Sequence, residues 1–173
     1  MKTIKLLFIL SIICSSVCAQ SIVPIPKGYV DLGLPSGTYW KENNEDGYYT
    51  YAEAIKQFGS NIPTLQQVEE LINNCTFTCS NNVIKVTGRN GNYIYLPKLG
   101  FYSCVKLYDE NYQQYIKCRY VDSNTSGGRY WTATVYDNYE AYDLTLDSGD
   151  KNILITFHSE KISKLSVRLV GQF

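Results

Sequence analysis

The chain has 173 residues, a formal net charge of zero and 18% charged side chains. Its length is that of one ordinary domain, enough to bury most of its apolar surface in a single core. The balanced charge leaves no basic stripe for a phosphate backbone, which excludes nucleic acid as an expected partner. The strongest compositional bias is sixteen tyrosines, a residue that suits both exposed binding surfaces and β-strands.

Residues 1–19 have the three parts of a secretory signal peptide. Lys2 and Lys5 precede an uncharged apolar run over residues 6–13, and small residues lead up to Ala19. The run is too short to cross about 30 Å of hydrocarbon as a helix, so no transmembrane segment is expected. We predict cleavage after Ala19 and a location that is secreted, periplasmic or at the outer cell surface. An irregular lead-in over residues 20–28 and a single domain over residues 29–173 would remain.

Two of the six cysteines, Cys14 and Cys18, lie in this leader. The residues before each form a poor lipobox, which favours soluble export over lipid anchoring. The cysteines that remain after cleavage are Cys75, Cys79, Cys104 and Cys118. An even number in an oxidising compartment is typical of disulfide-bonded domains, and four cysteines allow three connectivities. Whether Cys75 and Cys79 are free or paired stays open at this point.

Two short helices are predicted near the start of the domain, each by a capping box. Thr50 with Glu53 begins the first helix, and Thr64 with Gln67 begins the second. Gly59 can end the first helix. Apolar residues at helical spacing follow both N-caps, so each helix is expected to bury one face.

The chain after Cys75 reads as β structure, starting with a hairpin. An Asn-Gly pair separates alternating runs over residues 83–87 and 93–96. A three-residue loop places Val86 opposite Ile94. A two-residue turn would instead place a lysine opposite an apolar residue. Apolar pairing on one face favours the longer loop.

A second hairpin is predicted from residues 100–105 and 115–121 around a polar loop over residues 109–113. This pairing sets Cys104 directly opposite Cys118, close enough for a disulfide. The bond would close a ring of about 15 residues, worth roughly 3 kcal/mol in the chain-entropy model.

A flexible loop over residues 123–128 and four more strands complete the domain. The predicted strands cover residues 130–134, 141–146, 153–157 and 165–170. The fold class is therefore α+β, with two short helices and a mostly antiparallel β half.

Five motifs in order resemble the Fibrobacter succinogenes major paralogous domain family. Residues 29–40 (Tyr-Val-Asp-Leu-Gly-Leu-Pro-Ser-Gly-Thr-x-Trp) are similar to its opening signature. The other four are Ile62-Pro63-Thr64 continuing to Cys75-Thr76-Phe77, Lys85-Val86-Thr87-Gly88 continuing to Gly100-Phe101, Gly128-x-Tyr130-Trp131-Thr132-Ala133-Thr134, and Leu165-Ser166-Val167-Arg168-Leu169-Val170. The resemblance covers nearly all of the chain after the leader.

This resemblance implies a C-type lectin-like fold, in which the N- and C-terminal strands pair and a β-rich half carries long surface loops. Such domains occur in exported proteins of gut Bacteroidota and are related to collagen-like adhesin C-terminal domains. Members are mostly surface or secreted binding proteins. The resemblance therefore implies binding in the region between Trp131 and residue 165.

Two departures from related proteins limit this expectation. The calcium-binding triplets of true C-type lectins are absent, and Trp131 is followed by Thr-Ala-Thr, which is no metal-ligand pattern. Residues 134–164 also lack the dominance of Asn, Ser and Tyr expected of an actively diversified receptor. We expect no metal and no cofactor, although the sequence does not settle whether calcium binds.

No catalytic residue is expected either. His158 is the only histidine, and no nucleophile elbow or cysteine signature accompanies it. Acidic residues are concentrated in one region, at Asp137, Glu140, Asp143, Asp147 and Asp150. Their spacing does not match a calcium loop, and a glycosidase pair of Asp143 with Asp147 has no further support.

The predicted binding site is a surface patch. In the strand over residues 141–146, strict alternation turns Tyr142, Leu144 and Leu146 inward and Asp143 and Thr145 outward. In the next strand it turns Ile153, Ile155 and Phe157 inward and Asn152, Leu154, Thr156 and His158 outward. The proposed ligand-binding residues are Tyr136, Asp137, Asn138, Tyr139, Asp143, Thr145, Asn152, Thr156 and His158.

The sequence thus predicts an exported, non-enzymatic binding domain for a glycan or a surface protein. Aromatic platforms with short polar groups suit either ligand. A structural adhesin or pilus-tip component is the first alternative and a glycan-degrading enzyme the second. Oligomeric state and the identity of the ligand are not predicted.

Overall fold

The computed structural model describes residues 24–146 and 154–173, so the predicted signal peptide and residues 20–23 of the lead-in lie outside it. The protein is α+β, with mostly antiparallel strands and two short helices, which confirms the predicted class. Within the described ranges, no helix is both long and apolar enough to cross a membrane.

The helices are α1 (Tyr51–Phe58), α2 (Leu65–Asn74) and the one-turn α3 (Ser123–Ser126), with a 3₁₀ turn at Gly59–Asn61. The strands are β1 (Tyr29–Asp31), β2 (Tyr39–Lys41), β3 (Thr76–Ser80), β4 (Val83–Thr87), β5 (Tyr93–Pro97), β6 (Phe101–Tyr108), β7 (Gln114–Val121), β8 (Gly128–Val135), β9 (Glu140–Leu146), β10 (Leu154–Glu160) and β11 (Val170–Gly171). The turn of α3 replaces part of the loop predicted over residues 123–128.

Both predicted capping boxes are present. The Thr50 side chain accepts from the Glu53 backbone N–H at 3.3 Å, and Glu53 Oε2 accepts from the Thr50 N–H at 2.8 Å. Thr64 and Gln67 form the same reciprocal pair at α2, and Gly59 is the C-cap of α1. These bonds satisfy N–H groups that a helix start otherwise leaves unpaired.

The first sheet joins the two ends of the domain in the order β1-β2-β11. Trp40 of β2 pairs with Val30 on one side and Val170 on the other, which confirms that the N-terminal strands lie beside the C-terminal one. The strand predicted over residues 165–170 is shorter than expected. Leu165 and Ser166 make only isolated bridges to neighbouring segments, so regular pairing is confined to β11.

The second sheet has the order β3-β4-β5 and contains the predicted Asn-Gly hairpin. Val86 pairs with Ile94, as the apolar pattern predicts. Both side chains are buried, whereas Tyr93 and Tyr95 point to the exposed face of the same sheet. The alternation of period two therefore places one face in the core and leaves the other to solvent.

Strands β6 and β7 form a two-stranded ribbon over residues 101–121. Cys104 pairs with Cys118 in register and the two form a disulfide, both as predicted. Cys75 and Cys79 are free thiols. Every residue of β7 except Val121 is exposed, so the outer part of the ribbon projects away from the core.

The third sheet has the order β10-β9-β8, and its middle strand is covered on both faces. Leu144 and Tyr130 belong to one buried cluster, while Ala141 and Trp131 belong to the other. Because β9 lies between these two clusters, neither of its faces is turned to solvent over most of its length. This arrangement decides where the predicted binding residues lie.

Candidate functional site

The loop over residues 136–139 connects β8 to β9 and is held by its own acidic residue. Asp137 Oδ1 accepts from the backbone N–H groups of Tyr139 and Glu140, each at 2.7 Å. These hydrogen bonds lower the pKa of the Asp137 carboxyl below its ordinary value. Lys161 Nζ donates to the Asp137 carbonyl oxygen at 2.6 Å and to that of Asn138 at 3.2 Å. The loop is therefore fixed from two directions.

This loop presents two tyrosines to solvent, with Tyr136 50% and Tyr139 73% exposed. Tyr139 borders a groove of about 630 Å³ between the loop and the ribbon. The lining residues are Val105, Lys106, Asp137, Asn138, Tyr139, Glu140, Glu160, Lys161 and Ile162. The groove combines apolar side chains with both signs of charge.

His158 lies beside the same loop, so the structure brings it together with predicted site residues. Its ring stacks on that of Tyr136, with centroids 4.2 Å apart and planes 3° from parallel. Tyr142 packs edge-on against Tyr136 at 5.3 Å. His158 Nδ1 lies 3.0 Å from Glu140 Oε2, so a protonated imidazole would pair with this carboxylate. These residues form an aromatic cluster behind the loop.

Asp143 and Thr145, predicted to face solvent, are buried, and that prediction is wrong. Asp143 is 0% exposed, and its carboxylate accepts from the Thr145 hydroxyl at 2.6 Å and the Ser159 hydroxyl at 2.7 Å. Arg129 Nη1 lies 3.7 Å from Asp143 Oδ2. Burial raises the pKa of the Asp143 carboxyl despite these partners. The group stabilises the sheet from inside and cannot touch a ligand.

The remaining predicted residues have different outcomes. Phe157 was expected to point inward, but it is 46% exposed and covers the guanidinium of Arg129, whose carbon lies 5.1 Å from the ring centroid. Thr156 is half-buried in β10, opposite Leu144. Asn152 lies outside the described residues. The part of the predicted binding surface that remains consists of the 136–139 loop with His158.

A second concave site was missed by the sequence analysis, and Arg168 lies at its floor. Arg168 is 1% exposed. Its guanidinium donates to the carbonyl oxygens of Lys41 at 2.7 Å, Glu42 at 2.6 Å and Tyr95 at 2.6 Å, and to Asn44 Oδ1 at 2.7 Å. One buried side chain thus ties the loop after β2 to strand β5.

Between these two segments lies a groove of about 770 Å³, larger than that beside Tyr139, which we call the Arg168 groove. Its lining residues are Glu42, Asn43, Asn44, Glu45, Asp46, Gly47, Tyr48, Val83, Tyr93, Ile94, Tyr95, Pro97, Leu99 and Arg168. One wall of the groove could have been predicted from the sequence, because Tyr93 and Tyr95 alternate with two buried residues of a predicted strand. No sequence pattern indicates the hydrogen-bond partners of Arg168.

Tyr48, which lines the Arg168 groove, packs against two other tyrosines. The Tyr48 ring lies 5.3 Å from that of Tyr102 and 6.4 Å from that of Tyr120, and the Tyr48 hydroxyl donates to the Leu99 carbonyl oxygen at 2.7 Å. Burial, followed by the hydrogen bond with Tyr120, raises the pKa of Tyr48 to about 12. This phenol therefore stays neutral and acts as a hydrogen-bonding and packing group.

The Cys75 thiol is free and partly buried. Burial raises the pKa of the Cys75 thiol to about 11, so it stays protonated near neutral pH. In the described part of the chain, no group of three or more His, Cys, Asp and Glu side chains is placed to hold a metal ion. Asp147 and Asp150 of the predicted acidic region lie outside that part.

Comparison of the chain with protein-family models, with characterised proteins and with solved structures yields no match.

Proposed function

We propose that this protein is an exported, non-enzymatic binding domain that recognises a glycan or a protein at the cell surface or in the extracellular space. The leader pattern of residues 1–19 supports export. The disulfide between Cys104 and Cys118 is consistent with an oxidising compartment.

The proposed fold is C-type lectin-like, within the Fibrobacter succinogenes major paralogous domain family. Three features support this assignment: β2 pairs with β11, two helices follow the first two strands, and the remaining chain is mainly β with a projecting ribbon. The pairing of the terminal strands, the two helices and the β-rich remainder are features that the sequence resemblance implies, whereas the ribbon is not. The assignment rests on these features together with the five motifs.

One observation supports a binding role above all: the 136–139 loop is rigidly held and yet presents exposed aromatic rings. Asp137 and Lys161 fix its backbone, while the side chain of Tyr139 is 73% exposed at the edge of a groove. A preordered loop loses little conformational entropy on binding. Tyrosine supplies a large contact area with few rotatable bonds, which suits recognition of a sugar ring or a protein loop.

The test is a glycan and surface-protein array probed with the purified protein, followed by affinity measurements on Tyr139→Ala. Tyr112→Ala is the matched control, because Tyr112 is 87% exposed at the tip of the ribbon, away from the loop. We expect the Tyr139 variant to lose about tenfold or more in affinity, as for a central aromatic contact, with an unchanged melting temperature. Equal affinity of both variants would refute this site, and turnover of an arrayed glycan would refute the non-enzymatic assignment.

A structural adhesin or pilus-tip component is the second candidate, and the ribbon favours it. Val105, Tyr108, Tyr115 and Ile116 are all at least 43% exposed along the ribbon. Isolated two-stranded ribbons are marginally stable in water, so exposed apolar residues on both faces suggest assembly contacts. Co-purification of the protein with a surface polymer would support this candidate, whereas a free monomer that binds an arrayed ligand would support the first.

A further inference from the structure

The Arg168 groove has an aromatic wall whose rings are open to solvent. Tyr93 is 46% and Tyr95 is 49% exposed, and their rings pack edge-on with centroids 5.3 Å apart. Lys85 Nζ lies 3.9 Å above the Tyr93 ring centroid, so a cation of the chain itself already contacts this wall. The face of a tyrosine ring attracts ammonium and guanidinium groups, most strongly when they are partly desolvated.

The opposite wall of the groove supplies carboxylates. Glu42 and Asp46 are exposed, and neither has a salt-bridge partner among the described residues, whereas Glu45 pairs with Lys41. Three carboxylates and one guanidinium line the groove, and that guanidinium, of Arg168, is already bound to the chain's own oxygens. The groove therefore offers acceptors and negative charge facing two exposed aromatic rings.

The strand edge beside the groove is occupied by the protein's own side chains. In the described part of the chain, β5 pairs with β4 alone. On its other edge the carbonyl oxygens of Tyr95 and Pro97 accept from Arg168 at 2.6 Å and from the Tyr130 hydroxyl at 2.5 Å. Because these acceptors are taken, a ligand of the groove is recognised through its contacts with the tyrosine rings and the carboxylates. A lysine or arginine side chain offers both contacts, since its apolar stem can pack on a ring and its charged head can pair with a carboxylate.

We propose that the Arg168 groove binds a segment of a partner protein that carries lysine or arginine. The aliphatic stem of such a side chain packs on Tyr95 and its charged head lies near Glu42 and Asp46. Arg168 is the positioning residue, because it fixes the aromatic wall and the acidic loop relative to each other. This site is separate from the 136–139 loop and does not depend on its ligand.

The probe is a fluorescently labelled peptide of alternating arginine and threonine, with a glutamate-threonine peptide as the charge control. We expect the basic peptide to bind and the acidic one not to bind, with weaker binding as salt is added. The double variant Glu42→Gln/Asp46→Asn should lose about fivefold or more in affinity, and Tyr95→Ala about threefold. Matched controls are Glu110→Gln and Tyr115→Ala, which remove a carboxylate and a 46% exposed tyrosine from the ribbon.

Three results would overturn the proposal. The first is equal affinity for the basic and acidic peptides, and the second is binding by the groove variants as tight as that of the controls. The third is tighter binding of a deacetylated chitosan oligomer than of the peptide, which would assign the groove to amino sugars. Tyr139→Ala should leave peptide binding unchanged, so failure at this groove and failure of the proposed ligand site are distinguishable. Circular dichroism spectra confirm that each variant is folded.

Discussion

Arg168 Nη2 donates to the carbonyl oxygen of Tyr95 at 2.6 Å, joining residues 73 positions apart. Arg168→Lys would keep the charge but not the planar fork that reaches Tyr95, Asn44 and the carbonyls of Lys41 and Glu42 at once. We expect a loss of about 3 kcal/mol in the free energy of unfolding, because buried carbonyl oxygens are left unpaired. Urea denaturation measures this loss, and a change below about 1 kcal/mol would contradict the positioning role.

Gly88 is predicted to tolerate no side chain. A Cβ atom at this position would lie 2.0 Å from the carbonyl oxygen of Leu32, a core residue that is 0% exposed. Gly88→Ala should therefore cost more than about 3 kcal/mol or prevent folding. Gly91→Ala is the comparison: its Cβ would meet open space, and only its positive φ opposes alanine, at roughly 1–2 kcal/mol. Thermal or urea denaturation that ranks the two variants equally would contradict this account.

The ribbon should lose order when its disulfide is reduced. Its outer residues bury little surface, so the bond between Cys104 and Cys118, worth about 3 kcal/mol in the chain-entropy model, is expected to hold the strands together. Hydrogen exchange followed by mass spectrometry should show faster exchange over residues 105–117 after reduction. The fluorescence of the two buried tryptophans, Trp40 and Trp131, serves as the control and should not change. Unchanged exchange in the reduced ribbon would show that the strands pair without the bond.

Asp143 should make the stability of the protein depend on pH in an unusual direction. Because burial raises its pKa in the folded state above that in the unfolded state, the folded protein holds this proton more tightly. The contribution of Asp143 is then greatest at low pH and is lost as pH rises through the raised pKa. The difference in unfolding free energy between the wild type and Asp143→Asn should therefore decrease with rising pH across the acidic range. Urea denaturation at several pH values tests this, and the opposite slope would contradict it.

Asp137 should show the opposite dependence. Its pKa is lowered by the backbone N–H groups of Tyr139 and Glu140, so its contribution to loop order is present above the ordinary carboxyl pKa. It is lost as pH falls through the lowered value. The amides of Tyr139 and Glu140 should then exchange faster with solvent relative to the core, and Asp137→Ala should show this faster exchange at neutral pH. Equal protection in variant and wild type would show that Lys161 holds the loop alone.

Local signals in the sequence were sufficient for much of the fold. The capping boxes at Thr50 and Thr64, the register that pairs Val86 with Ile94, and the disulfide partner of Cys104 all depend on residues close in the chain. In each case spacing and residue type restrict the geometry to one or two choices. These are the interactions that a sequence pattern describes directly.

The positions of the candidate binding residues could be predicted only in part, and the errors at Asp143 and Thr145 have one cause. Strict alternation in β9 predicts one buried side and one side facing solvent, which holds for a strand whose outer face is uncovered. Asp143 is instead buried because β9 is the middle strand between two core clusters. Which strand lies in the middle depends on pairing between distant segments, as do the contacts of Arg168. Neither the position of β9 in its sheet nor the contacts of Arg168 can be inferred from the periodicity of a short segment.

The central place of β2 in the first sheet also constrains when the protein can fold. Trp40 pairs on one side with Val30, which lies close to it in the sequence. On its other side it pairs with Val170 of β11, which is far away along the chain. A chain that emerges from its N-terminal side leaves this sheet incomplete until residue 170 has emerged as well. Pairing between such distant segments is slow to form, because loop-closure entropy must be overcome first. Such a chain therefore cannot close its core residue by residue and needs residue 170 to complete it.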